Sequence, residues 1–151
     1  MPWQSSLPVA VNALVAQLSA DSTLAAIVHD GPELRDTGNE VVAVGYSGDD
    51  GDTAAEGSFS REGLALEPDR ERYSIHCAVS VLNGAADTGK ARARAYELFA
   101  VVGKVLAADK TLGDAVMSAS LGGWSLSTPQ TESGAVATIT FNVEIDAYTS
   151  T

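Results

Sequence analysis

Four carboxylates, Asp49, Asp50, Asp52 and Glu56, crowd a short stretch that also holds Gly48, Gly51 and Gly57. Hard oxygen ligands at that density suit calcium. The spacing misses the D-x-[DN]-x-[DN]-G pattern of an EF-hand, however, and the flanking residues read as strands rather than helices. The cluster is therefore expected to be a solvated loop, and no metal site is assigned. His29 and His76 are the only histidines. His76 falls on the polar side of an alternating segment and His29 in the turn-prone run His29-Asp30-Gly31-Pro32, so both read as surface histidines without a catalytic partner. Cys77 is the only cysteine. It permits no intrachain disulfide or thiolate cluster, lies on the apolar side of its segment, and has no base beside it to activate the thiol. Gly84 and Gly89 before Lys90 do not make a P-loop, because Ala91 stands where that motif needs Ser or Thr, and no G-x-S-x-G elbow occurs. No catalytic, cofactor-binding or metal-ligating residue is assigned, and the chain is not expected to be an enzyme.

Charge narrows the partners. The formal net charge is −11 and the sequence pI about 4.3, whereas a protein that grips phosphates carries a basic face. An acidic surface would instead let DNA pass without adsorbing. Lys90, Arg92 and Arg94 make one helix the basic element of an acidic chain. They are a candidate inter-subunit face, in which a basic surface of one copy meets an acidic surface of the next.

The elements that must carry these residues centre on 70–108. Tyr73, Ile75, Cys77, Val79 and Val81 alternate with Arg72, Ser74, His76 and Ser80, the period of a half-buried strand. Asn83-Gly84 turns the chain, and Asp87 or Thr88 caps a helix whose apolar stripe is Ala91, Ala95, Leu98, Phe99, Val102, Val105 and Leu106. A first helix starts at Ser6, with Pro8 in its first turn and Leu7, Val11, Leu14, Val15 and Leu18 on one face. Asp21, Leu24 and Ile27 suggest a further helical turn. Between Asp30 and Glu71 lie twelve acidic residues against Arg35, Arg61 and Arg70. That segment holds a β-prone run from Val41 to Tyr46, a strand from Ser58 to Leu66, and between them residues 47–57, which are expected to form a mobile loop because they bury too little to offset their ordering entropy. Further on, the apolar parity of Met117, Ala119 and Leu121 switches at Gly122-Gly123 to that of Trp124 and Leu126, the signature of a one-residue bulge. Thr128 to Ser133 reads as a hairpin loop. The last strand, Val136 to Tyr148, sets Ala137, Ile139, Phe141, Val143, Ile145 and Ala147 on one face. The expectation is an α+β fold in one domain over 1–151, with an antiparallel or mixed sheet packed on two main helices. No membrane span or signal peptide is read in the chain, so a soluble product made in the cytoplasm is expected.

A leading helix followed by Leu24-Ala25-Ala26-Ile27-Val28-His29-Asp30-Gly31-Pro32, an acidic glycine-rich excursion, Tyr73-Ser74-Ile75-His76-Cys77-Ala78-Val79 running into an Ala/Arg-rich helix, and two closing strands together resemble the tail terminator, or tail completion, proteins of long-tailed bacteriophages. That resemblance implies a non-enzymatic virion protein, assembled in the host cytoplasm as a hexameric ring at the head-proximal end of the tail. Its implied partners are further copies of itself, the tail tube protein and the head-tail connector protein, with DNA passing unbound through the lumen. Asp49, Asp50, Asp52 and Glu56 are then a candidate lumen or inter-subunit loop. Another neck or connector protein, or a tail tube protein, fits the same order of elements. A small acidic enzyme or ligand-binding domain is the reading from a different class.

Overall fold

In the segment from Arg70 to Asn83 the alternating side chains leave one apolar and one polar face, and the 134–148 segment repeats the pattern. The computed structural model, which describes residues 3–32, 38–46, 53–61 and 69–149, zips these two segments together. In chain order the elements are α1 (Leu7–Ala20), β1 (Val28–Asp30), β2 (Glu40–Val44), β3 (Ala55–Ser60), β4 (Arg70–Asn83), α2 (Thr88–Ala108), β5 (Ser118–Ser127), β6 (Gln130–Thr131) and β7 (Gly134–Tyr148). β4 and β7 run antiparallel from Arg70 opposite Tyr148 to Asn83 opposite Ala135. The strand order is β1-β2-β4-β7-β5; β3 extends the β2 side of β4, β6 pairs with β7, and β1 with β2 is the parallel pair. The fold is α+β, and its sheet is mixed.

Tyr73, Ile75, Cys77, Val79 and Val81 lie opposite Ile145, Val143, Phe141, Ile139 and Ala137, and all ten are buried. α2 covers them with Ala91, Ala95, Leu98, Val102 and Leu106, and α1 adds Ala10, Leu14 and Leu18. Asp87 caps α2, its side chain accepting the Lys90 N–H at 3.1 Å. The parity switch in β5 is a real bulge: Leu121 faces Val143 and Trp124 faces Phe141, three residues of advance against two. No described helix is both long and apolar enough to cross a membrane.

Four local expectations change. His29 and Asp30 are not in a turn: they belong to β1, beside Ala43 and Val44. The chain turns at Gly31, φ +85°, whose N–H bonds the Val44 carbonyl at 2.7 Å. At the end of β4 the positive φ falls on Ala86, not on Asn83 or Gly84, while Asn83 Oδ1 accepts the N–H groups of Ala85 and Asp87. β3 begins at Ala55, inside the stretch expected to be a loop; residues 47–52 and 62–68 lie outside the described residues. β6 narrows the expected 128–133 loop to a turn at Glu132-Ser133.

Cys77 sits among these core residues, and burial pushes its thiol up to about 12. Because the thiolate is the reactive form, a maleimide or disulfide reagent at pH 8 should label native protein about a hundredfold or more slower than protein in denaturant. Equal rates would mean that the centre of β4 opens readily.

Candidate functional site

The buried face of β4 carries one charge. Glu71 shares the parity of Tyr73 and Ile75, so its side chain points toward the helices, where it is 2% exposed. Its Oε1 accepts the Ser6 N–H and its Oε2 the Ser5 hydroxyl, each at 2.6 Å. Ser5 Oγ accepts the Leu7 N–H at 3.2 Å. α1 is thus capped by a strand carboxylate and Ser5, and its positive end faces a negative group. Ser6, expected to cap α1, makes no side-chain cap and bonds the Tyr73 hydroxyl at 2.8 Å. Burial raises that hydroxyl to about 12. The sequence signal was the charge in register with a buried face.

This node fixes the chain leading into α1. Trp3 there meets Phe59 of β3 edge-on, ring centres 5.1 Å apart, and the two side chains are 51% and 52% exposed. A second apolar patch lies at the opposite edge of the sheet. Trp124, 58% exposed, leans on Tyr96 at 6.0 Å; Tyr96 meets Phe99, and Phe99 meets the buried Phe141 at 5.0 Å. Met117, just before β5, is 47% exposed. Phe59 lies opposite Glu71, and Trp124 opposite Phe141, so both patches border the helix-covered face. They occupy opposite edges of the β3-β4-β7-β5 sheet. Side-chain type alone did not separate these aromatics from core residues.

The other sheet face is open and polar. Ser74 Oγ donates to Glu144 at 2.7 Å, and His76 Nδ1 donates to Asn142 Oδ1 at 2.7 Å. Arg70 grips Asp146 through two bonds of 2.9 and 2.6 Å, holding that carboxyl below the usual carboxylate range. Of the four loop carboxylates, Glu56 is placed: it lies in β3, 3.3 Å from His76 Nε2. Asp49, Asp50 and Asp52 lie outside the described residues. A shallow hollow of about 520 Å³ beside this row is lined by Val41, Ala43, Tyr46, Ala78, Leu82 and Val136 together with neutral polar groups. Among the described residues its lining carries no charged side chain. Among the described residues, no three His, Cys, Asp or Glu side chains come together as a metal site would need.

The basic helix residues separate into two kinds. Arg94 makes bonds of 2.7 and 3.1 Å to Glu40 of β2 and one of 3.0 Å to Glu97. These bonds raise its pKa above the ordinary arginine value and commit it inside the subunit. Lys90 and Arg92 remain exposed on α2.

No protein-family model and no curated protein matches the chain. Among solved structures, a chain in the virion of a native gene transfer agent particle aligns over 91% of this chain and 93% of its own, with 17% identity and a TM-score of 0.46.

Proposed function

We propose that this chain is a structural virion subunit that assembles head to tail into a closed ring, ending growth of a phage tail tube at its head-proximal end and presenting a surface to the head connector. The observation that carries this reading is two exposed apolar clusters, Trp3 with Phe59 and Trp124 with Tyr96, on opposite edges of one sheet. Exposed aromatic clusters at a sheet edge mark protein contacts. Two different patches on opposite sides make a heterologous contact, which closes into a ring when the rotation per copy divides a full turn and otherwise continues as a filament. The order of elements, which resembles tail terminators, favours the closed and hexameric case. The net charge of −11 suits a ring through which DNA passes without adsorbing.

The test is the mass of the purified protein across a wide concentration range, with electron microscopy, alone and after adding tail tubes. Closed rings that cap tubes are expected. Indefinite tubes would reassign the chain as a tube protein, and a monomer that ignores tubes at every concentration would overturn the assembly reading.

A further inference from the structure

We propose that Asn83 is a self-modification site: in the folded protein the Gly84 nitrogen displaces its side-chain amide, leaving aspartate or isoaspartate at the corner between β4 and α2. Of Asn12, Asn39, Asn83 and Asn142, only Asn83 precedes a glycine. The turn brings the reacting groups together. The Ala86 N–H bonds the Asn83 carbonyl at 3.1 Å, and Asn83 Oδ1 accepts the N–H groups of Ala85 at 3.0 Å and Asp87 at 3.2 Å. Both partners are donors, so the atom they meet is the amide oxygen. The bond to Ala85 folds the side chain back over the peptide that joins Asn83 to Gly84, which sets Cγ beside the Gly84 nitrogen.

The surroundings favour the reaction. Among the described residues the Gly84 N–H has no acceptor, so no hydrogen bond must break before it gives up its proton. Asp30-Gly31 makes the contrast, its glycine N–H being committed to the Val44 carbonyl at 2.7 Å. A carbon added at Gly84 would have nothing within 4 Å, so there is room for a ring to close. Negative charge grows on Oδ1 as the nitrogen attacks, and the two N–H groups before α2 already point at that atom, as donors in an oxyanion hole do. In the first step the Gly84 nitrogen gives its proton to hydroxide and bonds Cγ, while Nδ2 takes a proton from water and leaves as ammonia, closing a succinimide. Water then opens the ring. Attack at Cγ gives aspartate in the ordinary chain; attack at the main-chain carbonyl carbon gives isoaspartate, with an extra methylene in the main chain. Either product takes the net charge from −11 to −12. Isoaspartate also shifts the last pair of the β4–β7 ladder, where Asn83 lies opposite Ala135 and its carbonyl packs on Gly134.

The experiment holds the purified protein at mildly alkaline pH, folded and in parallel in urea, and follows the peptide that carries Asn83 by mass spectrometry and an enzymatic assay for isoaspartate. The folded protein should lose the Asn83 amide no more slowly than the chain in urea, and faster as pH rises, because the nucleophile is the deprotonated nitrogen. Asn12, Asn39 and Asn142 should keep theirs. Gly84→Ala should slow the loss about tenfold, since a Cβ obstructs the approach. The open space at that position and the absence of a positive φ there let this variant fold as the parent does, which its melting temperature checks. Asn83→Asp supplies the reference for the aspartate product. Folded protein that keeps the amide while the chain in urea loses it, loss at another asparagine instead, or a Gly84→Ala protein that reacts as fast as the parent would overturn the assignment.

Discussion

Replacing Glu71 with Ala is expected to destabilise the protein by about 3 kcal/mol, the range for buried hydrogen bonds to a charged group, which lowers the melting temperature by about 6–12 °C in a domain of this size. The carboxylate is 2% exposed and takes both the Ser6 N–H and the Ser5 hydroxyl. Alanine strands those donors at the start of α1 and leaves its positive end facing apolar groups. Gln keeps the volume and one acceptor oxygen, so its cost should be smaller. Because the node also holds the approach of Trp3 to Phe59, tryptophan emission should move toward that of a solvated ring in Glu71→Ala. Chemical unfolding reads the first effect and fluorescence the second. A loss below about 1 kcal/mol, the level of an ordinary exposed cap, would show that the carboxylate does not hold the helix.

Gly134→Ala should have an effect of similar size from a different cause. Gly134 adopts φ +135°, and a Cβ there would run into the carbonyl oxygen of Asn83 while standing 3.0 Å from Asn83 C and Gly84 Cα. All three are backbone atoms, unable to swing aside as a side chain would. The strained backbone costs about 1–2 kcal/mol and the forced displacement about 1–3 kcal/mol more, at the point where β4 and β7 end their register with Asn83 opposite Ala135. Gly31→Ala is the control. Its φ is +85° with nothing within 4 Å of the added carbon, so it should cost only the backbone strain. Equal midpoints in urea for the two variants would mean that the β6–β7 turn does not press on Asn83.

Much of the fold was legible because its signals are local. The alternation of β4 and β7 is printed residue by residue, as is the stripe of α2 with its Asp87 cap. The parity switch at Gly122-Gly123 announced the bulge before any partner strand was known. β1 was not legible, since Val28, His29 and Asp30 are too few to show a period and become a strand only by lying beside β2. Arg94 read like Arg92 in composition, and only the arrival of Glu40, 54 residues away, separates them.

The sequence by itself determined the two long strands, the two helices and the acidic balance, because each depends on neighbours in the chain or on composition. Tertiary structure alone decided that Glu71 caps α1 across 65 residues, that Trp3 meets Phe59, and that Phe59 and Trp124 fall on opposite edges of one sheet. Burial and partnership are properties of the packed chain: a tryptophan has the same side chain in the core and at an edge, and only the elements around it fix whether water or another surface covers it.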